Sequence, residues 1–160
     1  MDRLWAPWRM PYILSTVKEP DEGCVFCKML AANDDEKNLI VHRGQLAFAV
    51  MNLYPYNSGH LMVVPYRHTG DYSALTGEEH LEMTHLMSRA QLALTKAMQP
   101  HGFNIGMNLG RASGAGIADH LHYHVVPRWS GDSNFMFTTA DTKVMSENLP
   151  DTWKRIRDVF

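Results

Sequence analysis

Three imidazoles stand at alternate positions in His120-Leu121-His122-Tyr123-His124-Val125-Val126, within a β-branched and aromatic stretch that favours extended backbone. The spacing predicts one strand over 120–126, with the three rings on one face and Leu121, Tyr123 and Val125 packed beneath them. Histidine changes charge near neutrality, so such a row offers a nucleophile, a metal ligand and a proton donor without large pKa shifts. A neutral ring nitrogen can attack phosphorus and form a phosphoramidate, dividing one displacement into two easier ones. His122, flanked on both sides, is the candidate nucleophile; His124 is placed to donate to phosphate oxygens or a leaving group, and His120 completes the catalytic row. A bare H-x-H pair is as readily a metal-binding or half-exposed strand. Three histidines running into Val125-Val126-Pro127-Arg128 weigh against that plainer reading.

Immediately before the row lies Gly110-Arg111-Ala112-Ser113-Gly114-Ala115-Gly116, whose backbone N–H groups could form an anion nest. Glycines between two strands usually serve backbone geometry alone; beside a histidine nucleophile they make a plausible phosphate cradle. The two cysteines, Cys24 and Cys27, form a C-x-x-C pair open to three readings: redox dithiol, half of a zinc site, or disulfide. A reducing compartment disfavours the disulfide. The redox reading wants the pair at the start of a helix within a βαβ unit, whereas Lys18-Glu19-Pro20-Asp21-Glu22-Gly23 reads as a turn. Zinc leads, given two more ligands, and spacing does not select them among His42, His60, His68, His80, His85, His101 and the triad.

These residues sit in a chain of 160, most simply one domain over 1–160 able to bury its own core. With 45% hydrophobic and 20% charged residues and a net charge of -2, nothing electrostatic points to nucleic acid or membrane, and small ligands are the expected partners. No run of eighteen apolar residues and no signal-like segment occurs, which places the protein in the cytoplasm. Residues 1–12, with Trp5, Trp8 and Tyr12, read as an aromatic arm. A short helix is expected over 28–32, then strands over 39–41, 46–51 and 61–64 in an antiparallel meander. Thr76 and Glu79 form a potential capping box, ahead of a helix whose apolar face is Met83, Leu86, Met87, Ala90, Leu94, Ala97 and Met98. Pro100 and Gly102 stop it, and 103–108 reads as a strand beside the triad. A C-terminal helix over 148–160 carries Trp153, Ile156, Val159 and Phe160. Strands with one long helix between them indicate an α+β domain.

The row of histidines resembles the H-φ-H-φ-H-φ-φ signature of the histidine triad superfamily of nucleotide hydrolases and transferases. The likeness extends through Met51-Asn52-Leu53-Tyr54-Pro55-Tyr56-Asn57-Ser58-Gly59-His60, His101 to Gly110, Val125 to Asp132 and the Leu4-Trp5-Ala6-Pro7-Trp8-Arg9 opening, and is similar to the bacterial diadenosine tetraphosphate phosphorylase branch. It implies a five-stranded antiparallel sheet with one long helix and a C-terminal helix, assembled as a homodimer. It also implies chemistry at the α-phosphate of an adenine nucleotide, with His122 adenylylated and inorganic phosphate or water as the second nucleophile. By the same resemblance His124 and His60 lie near the phosphates, Asn52 binds ribose, and Asn108, Gly116 and Trp129 line the nucleotide pocket. A structural zinc is implied at Cys24, Cys27, His68 and His120. The chain departs from many triad hydrolases at Ala115-Gly116-Ile117, where they carry Gly-Gln-Ser/Thr; the lost side chain leaves a gap that could admit inorganic phosphate. Expected rivals to phosphorolysis are hydrolysis of dinucleoside polyphosphates or adenosine phosphoramidates, and a zinc-stabilised nucleotide-binding module with little turnover.

Overall fold

Residues 23–132 and 145–160 are described in a computed structural model of the chain. The arm expected over 1–12 lies outside them. In chain order they form helix α1 (Val25–Ala32), strands β1 (Ile40–Arg43), β2 (Ala47–Met51) and β3 (Leu61–Pro65), helix α2 (Gly77–Met98), strands β4 (Gly102–Met107) and β5 (Tyr123–Arg128), and helix α3 (Leu149–Arg157). The strands make one antiparallel sheet in the order β1-β2-β3-β5-β4, so β5 is inserted between β3 and β4. This is the expected α+β architecture.

The alternation along each strand divides the core in two. On one face, Ala49, Leu61 and Val125 pack on Ala90, Ala93 and Leu94 of α2 and on Trp153 and Ile156 of α3, while Ala47, Val63 and Leu121 meet Met83 and Leu86. On the other face Phe48, Val50, Met62 and Val64 gather around Phe26 of α1. Both faces of β2 and β3 are therefore covered, which is why these strands read as continuous apolar runs. Trp153 ties α3 to the sheet by donating its indole N–H to the Ile40 carbonyl (3.0 Å).

Helix α2 begins where the sequence places it. The Thr76 hydroxyl accepts from the Glu79 N–H (3.2 Å) and the Glu79 carboxylate accepts from the Thr76 N–H (2.7 Å), while Arg67 donates to the same carboxylate (2.9 Å). The Thr76 N–H first, and Arg67 second, hold this carboxyl below its ordinary value. A depressed folded value means that the stabilisation is complete above the unfolded carboxylate range, about 4.3, and is lost as pH falls through the folded value. Glu79→Gln is thus expected to melt a few degrees lower than the parent at pH 7, with the gap closing towards pH 3 in thermal scans. A gap that stays constant across this range would remove the charge from the account.

Two boundaries differ from expectation. Helix α1 starts at Val25, so Cys24 is its N-cap residue and Cys27 lies in its first turn. The triad strand starts at Tyr123, three residues late. Its pairing with β3 ends at Val63↔Tyr123, and the Pro65 carbonyl beyond is taken by the His120 ring (2.8 Å) rather than by a backbone N–H. Leu121 N–H turns instead to the Thr69 carbonyl (2.8 Å). His120 and His122 therefore stand in an irregular lead-in, and only His124 belongs to the strand.

Candidate active site and metal centre

The tautomers of His122, His60 and His120 are each set by a main-chain group that can play only one role. His122 Nδ1 lies 2.8 Å from the His120 carbonyl, which can only accept, so Nδ1 carries the proton and Nε2 keeps its lone pair. The acceptor that sequence could not identify is thus the main chain two residues back. Burial pushes the His122 pKa down, partly opposed by this bond, and keeps the ring neutral. Phe26 packs against the ring with centroids 5.3 Å apart and restricts its rotation.

Behind it runs a second relay. His60 is fully buried, and its Nδ1 accepts from the Tyr56 N–H (3.1 Å). Its proton is therefore on Nε2, donated to His124 Nδ1 at 2.9 Å. His124 in turn must carry its proton on Nε2, the donor form needed by a general acid. His60 lies against His124 and orients that ring. Asn52 Oδ1 accepts from the Tyr54 N–H (2.9 Å) and Nδ2 approaches His60 Nδ1 (3.4 Å), so Asn52 also stiffens this loop.

His122 and His124, with centroids 4.9 Å apart, open on a cleft whose walls are α1, the segment after β2 and the glycine loop. Val25, Phe26, Met29, Leu53 and Ile117 give it an apolar end, and Asn52, Asn108, Gly114 and Gly116 a polar one. The arrangement can hold a flat apolar ring at one end and present a phosphorus atom to His122 at the other. Among the expected contacts Asn52, Asn108 and Gly116 line it, and Trp129 does not. Trp129 lies one residue past β5 and five beyond His124, about 17 Å at strand rise, in a turn braced by Asp132. The part played by Met29 and Val25 was missed, because a helix expected only from Lys28 gave no reason to bring its first turn to the site.

On the far side of His122 the structure gathers Cys24, Cys27, His68 and His120, their four donor atoms all within 4.8 Å of one another. His120 Nε2–H is committed to the Pro65 carbonyl, which turns Nδ1 towards the cysteines. His68 arrives on the loop after β3, and Gly70 lets that loop lie close to 118–119: a Cβ at 70 would sit 2.5 Å from the Ala118 carbonyl oxygen. His42, His80, His85 and His101 are elsewhere; His42, for example, meets Arg89 and stacks on Phe160. Spacing had left these choices open, and the geometry makes them.

The chain is similar to proteins already known. A family model described as "HIT domain" matches residues 33–131. The chain is 42% identical over 157 residues to a Mycobacterium tuberculosis protein named "AP-4-A phosphorylase", covering 95% of this chain and 80% of that protein. Among solved structures, a zinc-bound histidine triad family protein from Mycobacterium smegmatis shares the fold with a TM-score of 0.70 and 24% identity, over 86% of this chain and 92% of that one. A histidine triad nucleotide-binding protein from Sulfolobus tokodaii gives 0.69 and 25%, over 85% and 91%.

Proposed function

Because the chain belongs to the HIT domain family, we propose that it is a nucleotidyltransferase that phosphorolyses diadenosine tetraphosphate to ATP and ADP through an adenylyl group carried on His122. The observation that carries this reading is the pair of opposed tautomers: a bare Nε2 on His122 beside a protonated Nε2 on His124. In the first step His122 Nε2 forms the bond to the α-phosphorus while the bond to the ATP oxygen breaks, and the His124 proton goes to that oxygen. In the second, an oxygen of inorganic phosphate attacks the same phosphorus, the N–P bond breaks, ADP leaves, and the phosphate's proton returns to His124. His60 holds His124 in register throughout. The base occupies the apolar end of the cleft, Asn52 and Asn108 lie at the ribose, and Gly116 leaves room for the incoming phosphate.

The metal centre fits zinc. Bonds of about 2.3 Å to sulfur and about 2.05 Å to nitrogen in a tetrahedron put N···N near 3.3 Å and S···N near 3.6 Å. The His68–His120 nitrogens are 3.3 Å apart, three of the four sulfur–nitrogen pairs are at 3.2, 3.6 and 3.8 Å, and all four donors lie within 4.8 Å of one another. The Pro65 carbonyl accepting the other His120 N–H is the outer partner that such a ligand needs. With all four positions filled by protein, zinc bound here supplies a cross-link between α1, the β3 loop and the triad segment. In a homodimer, the outer edge of β4, where Ile105 is 49% exposed, is the natural joining line. No helix of the described residues is long and apolar enough to cross a membrane. The cytoplasm supplies the nucleotide and keeps the C-x-x-C pair reduced.

The test is a brief exposure to labelled diadenosine tetraphosphate with and without inorganic phosphate, with light scattering on the same sample for its oligomeric state. An acid-labile adenylyl adduct on His122 is expected, yielding ATP with ADP when phosphate is present and ATP with AMP when it is absent. Identical products under both conditions would make the protein a hydrolase, and no adduct with no product would leave a binding module.

A further inference from the structure

Register along the β4–β5 ladder places Gly106 opposite His124, Asn104 opposite Val126 and Gly102 opposite Arg128. Residues directly opposed project from the same face, so β4 presents two glycines and one asparagine beside the general acid. Glycine inside a strand costs stability and calls for a reason. Here neither backbone nor packing supplies one: φ at both positions is ordinary, and a Cβ built at either meets no atom within 4 Å. What the missing side chains leave is open space. It forms a groove of about 450 Å³, lined by Asn104, Gly106, Ser113 and Val126. Tyr56, Asn108, Gly114 and His124 line both this groove and the nucleotide cleft, so the two are continuous across the acid.

Beyond Asn104 lies the Arg128–Asp132 ion pair. Arg128, four residues and about 14 Å beyond His124 along β5, donates to Asn104 Oδ1 (2.7 Å) while Asp132 holds it through Nε and a terminal nitrogen. This contact fixes the Asn104 amide, so its Nδ2 donors lie on the side away from Arg128. His122 lines only the cleft, so in an in-line displacement the leaving oxygen departs on the His124 side, towards the groove.

Resting on the phosphorolysis reading, we propose that this groove is the subsite for the leaving polyphosphate, with Gly106 and Asn104 as the residues that admit a long phosphate chain rather than a small leaving group. Gly106 keeps the floor bare next to the breaking bond, and Asn104, its Oδ1 held by Arg128, turns its Nδ2 donors to the anionic chain further out.

The experiment measures binding, in a His122→Asn background that cannot turn over. Calorimetric titration with diadenosine tetraphosphate and with AMP is expected to show at least tenfold tighter binding of the longer ligand. Adding Gly106→Val, which suits a strand and whose Cβ meets no atom within 4 Å, is expected to reduce that advantage to twofold or less with AMP affinity changed less than threefold. Asn104→Leu, at an exposed position that Gly106→Val does not alter, is expected to lower the advantage three- to tenfold, covering the case in which a β4 change disturbs assembly. A tetraphosphate advantage that survives both substitutions, or one absent from the parent, overturns the subsite. Failure of the phosphorolysis reading is separately visible as absent turnover in the wild type, and leaves the binding result standing.

Discussion

Replacing His122 with asparagine is expected to lower turnover of diadenosine tetraphosphate by between about 10⁴ and 10⁶, the range met when a covalent nucleophile is removed, while AMP binds within about threefold of wild type. The split follows from where the ring stands. Its Nε2 is the only one of the two triad nitrogens at the cleft with a lone pair, since His124 Nδ1 is taken by His60 and its Nε2 carries the proton. Nothing else in the cleft can form the phosphoramidate, so the two-step route closes. Affinity, in contrast, comes from Val25, Phe26, Met29, Leu53 and Ile117 and from the two asparagines, none of which the change removes. Asparagine is preferred to alanine because His122 packs on Phe26 and is only 6% exposed, so a truncated side chain would leave a void. Steady-state rates with mass spectrometry of the quenched protein decide the matter. Activity within tenfold of wild type, or an adduct at another residue, would reject His122 as nucleophile.

Chelation of the metal is expected to lower the melting temperature by roughly 10 °C. A ligand at about a thousand times its dissociation constant contributes about 4 kcal/mol, and each kcal/mol moves a chain of this size by about 2–4 °C. The effect is one of stability first, because the four donors come from α1, the β3 loop and the triad lead-in, three segments otherwise joined by few main-chain bonds. Cys24→Ser with Cys27→Ser should melt near the chelated value and be indifferent to chelator, and zinc content should fall from one ion per chain to near none. A protein that loses its zinc with no change in melting, or that never holds any, would sink the cross-link.

The long helix, its capping box and the four strands other than β5 were legible because each rests on local periodicity and local caps. Thr76 and Glu79 are three residues apart, and the stripe from Met83 to Met98 repeats within one element. The start of the triad strand was not legible, since it depends on Pro65, a residue 55 positions earlier whose carbonyl a side chain takes. The same distance hid the metal ligands: nothing local marks His68 among nine histidines, and only the resemblance singled it out. His60 illustrates the limit most clearly. Its presence near the site was expected from sequence likeness, but its direction depends on a backbone N–H at Tyr56 and a ring at His124, which no local pattern encodes.

The main chain, rather than any ionised partner, sets the protons of these imidazoles, and among the described residues lining the cleft none is a lysine or arginine. A polyanion entering it meets dipoles and neutral rings, so its resting complex is held loosely at the reacting phosphorus. With His122 as the proposed nucleophile, positive charge is expected there once the imidazole nitrogen has begun to bond and the ring itself becomes cationic beside the phosphoryl oxygens. The site thereby tightens on the passing configuration more than on the arriving or departing nucleotide, and release of ATP and ADP is not hindered by a permanent counter-charge.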